Sequence, residues 1–114
     1  MAKKLKPLVI PREVTIKVTR KNIDTGVFND TEKCAIALAI KAKLGDSPQV
    51  DSGVVEIDLK CGIHASYRLP KIANKFIKDF DACDELGSSY QKEARAKLKP
   101  FTFKALLRYA NFEL

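Results

Sequence analysis

Between Cys34 and Leu44 the chain reads Cys-Ala-Ile-Ala-Leu-Ala-Ile-Lys-Ala-Lys-Leu, its longest near-continuous apolar run and one rich in alanine. At helical spacing Ile36, Ala37, Ile40 and Leu44 fall on one side, and Cys34, Ala35, Leu38, Ala39 and Ala42 occupy much of the other. A helix apolar on both sides has to be covered over most of its surface, and its small residues let a sheet or a second helix come close. Asn29 is the expected N-cap, with Glu32 three residues on completing a capping-box-like arrangement. Lys41 and Lys43 suit the negative end of the helix dipole, and Gly45 fits the position just past the end. The fold is therefore expected to close around a buried helix of about three turns.

The flanking segments supply the cover. Residues 1–12 read as a basic, flexible arm, because Pro7 and Pro11 interrupt regular hydrogen bonding and Lys3, Lys4 and Lys6 are best solvated. Residues 13–114 read as one α+β domain. Val14, Ile16 and Val18 alternate with Thr15, Lys17 and Thr19, the pattern of a half-buried strand. Arg20 to Asp30 reads as loop, with Gly26 giving freedom, and Asp46-Ser47-Pro48 and Asp51-Ser52-Gly53 read as breaks. Val55, Ile57 and Leu59, then Ile63, Ala65, Tyr67 and Leu69, predict a hairpin turning at Lys60-Cys61-Gly62. That register sets Asp58 opposite His64 and Glu56 opposite Ser66 on the outward face.

Pro70–Leu86 predicts an amphipathic helix with Pro70 at its first position. Its apolar side is Ile72, Ala73, Phe76, Ile77, Phe80 and Cys83; Lys71, Lys75 and Lys78 face away. A shorter helix from Ser88 to about Leu98, with Gln91 in capping-box position, presents Lys92, Arg95 and Lys99 on an exposed face. Phe101, Phe103, Ala105, Leu107 and Tyr109 alternate as a terminal strand. The order β-α-β-β-α-(α)-β predicts an antiparallel sheet with helices packed on one face, compatible with a ferredoxin-like or split βαβ arrangement.

Chemistry is sparse. Phosphate-loop, dinucleotide, zincin and nucleophile-elbow motifs are missing from the sequence, and a single histidine cannot furnish a His-based acid/base dyad. Cys61-x-x-His64 with a distant Cys34 or Cys83 is the best metal candidate, yet structural zinc usually draws on two close pairs and only one is present. Cys34 and Cys83 fall on apolar helix faces, where a free cysteine acts as a small hydrophobe. Asp79, Asp81, Asp84 and Glu85 crowd one helix end without converging, and read as solvated acids paired with Lys75 and Lys78. We therefore expect no enzymatic activity, no metal and no cofactor. The odd cysteine count, with no two close in sequence, predicts reduced thiols and a cytoplasmic location. No run reaches the roughly 18 uncharged apolar residues of a membrane span.

Charge says more about partners. The net charge is +7, with an excess of five basic groups in residues 1–20, two acidic groups in 21–60 and four basic groups in 61–114. Basic ends around a mildly acidic middle fit a surface for phosphate or an acidic protein. The candidate binding surface is Lys3, Lys4, Lys6, Lys71, Lys75, Lys78, Lys92, Arg95 and Lys99. No RRM or KH signature accompanies it, so any direct nucleic-acid binding would be largely sequence-independent and salt-sensitive.

Four stretches carry a resemblance. Val18-Thr-Arg-Lys-Asn-Ile-Asp-Thr-Gly26, Cys34-Ala-Ile-Ala-Leu-Ala39, Leu69-Pro70 through Phe76-Ile77 and Phe80-Asp81, and Pro100-Phe-Thr-Phe103 resemble a pattern in small proteins of tailed phages and prophages. There a strand and a D-I-x-x-G-like loop lead to a C-P-I-A-L-A-like helix, and a P-F-x-F strand closes the chain. Ala35 stands where that pattern has proline, residues 84–98 look inserted, and the arm and the tail after Phe103 are extra. The resemblance implies an origin rather than a mechanism. By analogy, small phage proteins without catalytic motifs often bind and block a host component, defence complexes included. The expected function is a non-enzymatic binding protein that engages a host or defence protein through its basic surface, including one that handles nucleic acid. Direct DNA or RNA binding is the first alternative, and capture of a small anionic nucleotide the second.

Overall fold

Alternation in four segments, joined by a short fifth strand, produces the sheet. The computed structural model describes residues 11–44, 48–51, 53–59 and 63–112. Its elements are β1 (Glu13–Val18), α1 (Arg20–Thr25), α2 (Ala35–Leu44), β2 (Pro48–Asp51), β3 (Val54–Leu59), β4 (Ile63–Arg68), α3 (Lys71–Ala82), a 3-10 turn at Cys83–Glu85, α4 (Ser88–Lys97) and β5 (Phe101–Phe112). The strands form one antiparallel sheet in the order β1-β5-β4-β3-β2. The fold is a single α+β domain. A ferredoxin-like sheet keeps its first strand inside and its last at the edge. Here those two have changed places: β1 is an edge and β5 lies between β1 and β4.

One face of the sheet is apolar and lies under the helices. Val14, Ile16, Val18, Val55, Ile57, Ala65, Tyr67, Phe103 and Ala105 join Ala35, Ile36, Ala37, Ala39 and Ile40 of α2 and Ala73, Phe76 and Phe80 of α3 in one core. The alanines of α2 let that helix settle close to the sheet, as its composition required. The hairpin register holds as read, with Asp58 opposite His64 and Glu56 opposite Ser66.

Several local readings need correction. Residues 20–25 are helix, not loop: Thr19 and Asn22 form a reciprocal capping box, with Asn22 N–H donating to Thr19 Oγ1 at 3.1 Å and Thr19 N–H to Asn22 Oδ1 at 2.9 Å. Asn29 is not the cap of α2; it sits at φ 56°, and α2 starts at Ala35. Asp30 organises that turn, accepting the N–H groups of Glu32 and Lys33 on Oδ1, each at 2.9 Å. Pro48 opens a short edge strand instead of ending one, a position where its missing N–H is tolerated. Pro70 is the N-cap of α3, and Gly87 rather than Ser88 caps α4, with Gln91 Nε2 donating to Leu86 O at 2.9 Å. In β5 an irregularity between the Ser66–Tyr109 and Tyr67–Leu107 pairs leaves Arg108 as the extra residue. It flips Tyr109 from the core face to the open one, where it is 41 % exposed.

Two arginines tie the short helices together. Arg20 of α1 donates from Nη1 to Leu98 O at 2.6 Å and from Nη2 to Arg95 O at 2.8 Å, satisfying the end of α4. Arg95 of α4 returns the favour, its Nη1 meeting the carbonyls of Ile23, Asp24 and Gly26 at 2.9–3.0 Å. Each helix end thus receives a cation from the other, where the orphan carbonyls and the dipole favour positive charge.

Gly26 marks the closest approach. A Cβ there would stand 2.7 Å from Ala35 N, 2.9 Å from Asn22 O and 2.9 Å from Phe80 Cζ. Its φ of −65° is ordinary, so the constraint is space alone. Gly26→Ala is expected to cost about 2–3 kcal/mol, because two of the three obstructing atoms are backbone. Urea unfolding at parity with the parent would refute that account.

Candidate binding groove

Six of the nine basic residues read from the sequence fall among the described residues. Lys3, Lys4 and Lys6 lie outside the described residues. Of the arm, Pro11 and Arg12 are held to the sheet: Tyr67 Oη donates to Pro11 O at 2.9 Å, and Leu107 N–H to Arg12 O at 2.8 Å. Lys71, Lys75 and Lys78 are exposed on α3. Lys78 also lines a hollow of about 560 Å³ together with Asp30, Asp51 and Asp81. Lys92 and Lys99 are exposed. Arg95 is turned inward: besides its three carbonyls, its guanidinium lies 4.2 Å from the Phe28 ring centre. It fastens helices and does not present its charge to a partner.

The acids of α3 have a different job from the one expected. Asp81 accepts Asn29 N–H at 2.9 Å and Asp84 accepts Asn29 Nδ2 at 3.0 Å, pinning the turn before α2. Neither pairs with Lys75 or Lys78.

A different set of lysines comes together. Lys17 on β1, Lys21 on α1, and Lys41 and Lys43 on α2 line a groove of about 740 Å³ beside the edge of the sheet. Leu38, Ala39 and Ala42 contribute apolar lining, and among the described residues no carboxylate lines it. All four lysines are exposed, and among the described residues none makes an ion pair. Small side chains on α2 leave the space open, so the alanine-rich run serves the groove as well as the core. Sequence reading missed this set because its members are up to 26 positions apart and were assigned locally, Lys41 and Lys43 to a helix dipole. The available signal was Lys17, which alternation already placed outward.

The open face of the sheet carries a second cluster. His64 Nδ1 lies 2.8 Å from Asp58 Oδ1 and Nε2 lies 2.5 Å from Glu56 Oε2, while Tyr109 Oη donates to Glu56 Oε1 at 3.3 Å. With acceptors at both ring nitrogens, the imidazolium form is favoured. Its pKa is raised above the ordinary 6.5, chiefly by the hydrogen bond to Asp58; partial burial opposes this, and Glu56 adds to it. A raised folded-state pKa stabilises below the unfolded value near 6.5, and the gain disappears as pH climbs through the folded value. The stability of the parent should therefore exceed that of His64→Gln by more at pH 6 than at pH 8.5. Urea midpoints whose difference is flat across that range would contradict the linkage.

This geometry also separates the sequence's metal candidates. His64 projects from the open face, whereas Cys34 is buried in the core on the opposite face. Cys61 lies outside the described residues. Burial pushes the Cys34 and Cys83 thiols upward, leaving both as protonated interior groups. Among the described residues no group of three or more His, Cys, Asp or Glu is arranged to hold a metal ion, and no helix is long and apolar enough to cross a membrane.

With the geometry set out, comparison adds no identity. No protein-family model, curated protein or solved structure matches the chain.

Proposed function

We propose that the protein is a non-enzymatic binding protein that engages an acidic macromolecular partner through its basic surface, with the lysine groove beside β1 as the contact. In keeping with the resemblance to small phage proteins, the partner is a host or defence protein, including one that handles nucleic acid, and engagement inhibits or modulates it. The observation that carries this reading is the convergence of Lys17, Lys21, Lys41 and Lys43 around a groove that no carboxylate lines among the described residues. Four exposed cations clustered in this way raise the local potential and speed encounter with an anionic surface. The overall charge of +7, to which Lys71, Lys75, Lys92 and Lys99 contribute, acts in the same direction at longer range.

The immobilised protein, challenged with nuclease-treated bacterial lysate, is expected to retain a defined acidic protein at low salt. Lys17→Glu/Lys41→Glu is expected to lose it, while Lys71→Glu/Lys75→Glu keeps most of it. Retention of nucleic acid alone, in a gel shift run beside the capture, would replace this reading with direct DNA or RNA binding. A thermal shift with free nucleotides and no macromolecular partner would replace it with nucleotide capture.

A further inference from the structure

Among the described residues the groove runs along an open strand edge. There β1 is paired on one side only, with β5. The hydrogen bond from Leu107 N–H to Arg12 O makes Arg12 and Leu107 a bonded pair. In an antiparallel ladder bonded and non-bonded pairs alternate, so Val14, Ile16 and Val18 turn their backbone groups toward β5. Thr15 and Lys17 then turn theirs outward, and these are the β1 residues that line the groove. Their N–H and C=O groups form a ready template for another strand.

The opposite edge is treated differently. β2 has four residues, begins with Pro48, and has the N–H of Val50 occupied by Thr31 O at 2.8 Å. That edge is blunted by the devices natural sheets use against strand addition, whereas β1 has six residues and no proline. Only charge guards β1. Lys17, Lys21, Lys41 and Lys43 repel a second copy of this basic chain at that edge, and they attract a segment of the opposite sign.

We infer that β1 accepts an extended acidic peptide segment of the partner as a sixth strand, its backbone bonded to Thr15 and Lys17 and its carboxylates held by the four lysines. This rests on the proposed reading of the groove and narrows it to a mode of binding. A nucleic acid matches the charge but has no peptide ladder to offer alternating N–H and C=O groups; a polypeptide strand has both. The length suits: about five or six extended residues span β1 at roughly 3.3 Å each. Apolar contact with Leu38, Ala39 and Ala42 suits a segment that alternates acidic and small apolar residues.

The test uses a synthetic peptide of alternating glutamate and valine, the same peptide N-methylated at alternate residues, and a single-stranded oligonucleotide of equal charge. Amide exchange and chemical shifts of the whole chain are followed by NMR during titration. The expected result is protection of the Thr15 and Lys17 amides by the first peptide, with affinity falling about tenfold or more on N-methylation. Lys17→Glu/Lys41→Glu should abolish binding, and Ala42→Tyr, which fills the groove from an exposed position without altering charge, should do the same. Equal binding of the N-methylated peptide would overturn strand addition while leaving the acidic-partner reading intact. Protection of those amides by the oligonucleotide, or a dimer at β1 in sedimentation, would overturn it in favour of another occupant. No binding of any acidic probe at the groove would overturn both.

Discussion

Phe80→Ala should lower the free energy of unfolding by about 3–5 kcal/mol, the largest single loss expected in this chain. Phe80 is 1 % exposed and sits where α3 meets Phe28 of the turn before α2 and Arg95 of α4. Its ring is 4.7 Å from that of Phe28 and 5.8 Å from that of Phe76, centre to centre, and the Arg95 guanidinium lies 5.7 Å above it. Removing the ring takes away apolar burial and leaves a cavity beneath the glycine that joins α1 to the turn before α2. Those backbones are held by Asn22, Asp30 and Asn29, so the site has little freedom to collapse. Phe80→Leu should recover most of the loss. A urea-derived loss below about 1.5 kcal/mol for the alanine variant would mean that Phe80 is not the keystone of this junction.

Arg95→Ala is expected to cost about 3 kcal/mol, from charge-assisted hydrogen bonds to three carbonyls and from stacking over Phe28. The loss should be felt unevenly. α4 has no buried residue, so polar ties rather than apolar packing hold it to the domain. Amide exchange should therefore accelerate throughout α4 and at the end of α1, while β3 and β4 keep their protection. Arg95→Lys should rescue little, since an ammonium cannot reproduce the planar fork. Uniform acceleration across the sheet would instead make Arg95 a general core residue.

Much of this could be read from the chain. Val14-x-Ile16-x-Val18 and the β3–β4 hairpin follow from alternation, and α3 follows from its apolar stripe, because in each the pattern is local and matches the period of the element. α1 escaped notice because Arg20–Thr25 contains one apolar residue, Ile23, and its end is satisfied by an arginine some seventy positions away. β2 was hidden by its shortness and by Pro48. Arg95 looked like a solvent-facing cation because helical spacing describes where a side chain starts and not where a long one ends. The groove has the same origin: Lys17, Lys21, Lys41 and Lys43 converge through tertiary placement of three elements, and nothing in their spacing announces it. Tyr109 was misplaced by a single extra residue, the slip to which strand patterns are most exposed.

The position of β5 also governs when this protein can become itself. β1 leaves the ribosome well before residues 101–112, the strand that pairs with it. Until those residues emerge, Val14, Ile16 and Val18 have no sheet neighbour, and β4 lacks one of its two. Contacts spanning most of the chain carry a high loop-closure cost and slow the search for the native state. The nascent chain thus holds an unpaired, β-prone, lysine-flanked strand until residues 101–112 have followed. In that interval the cations beside β1 keep the newborn strands of neighbouring chains apart.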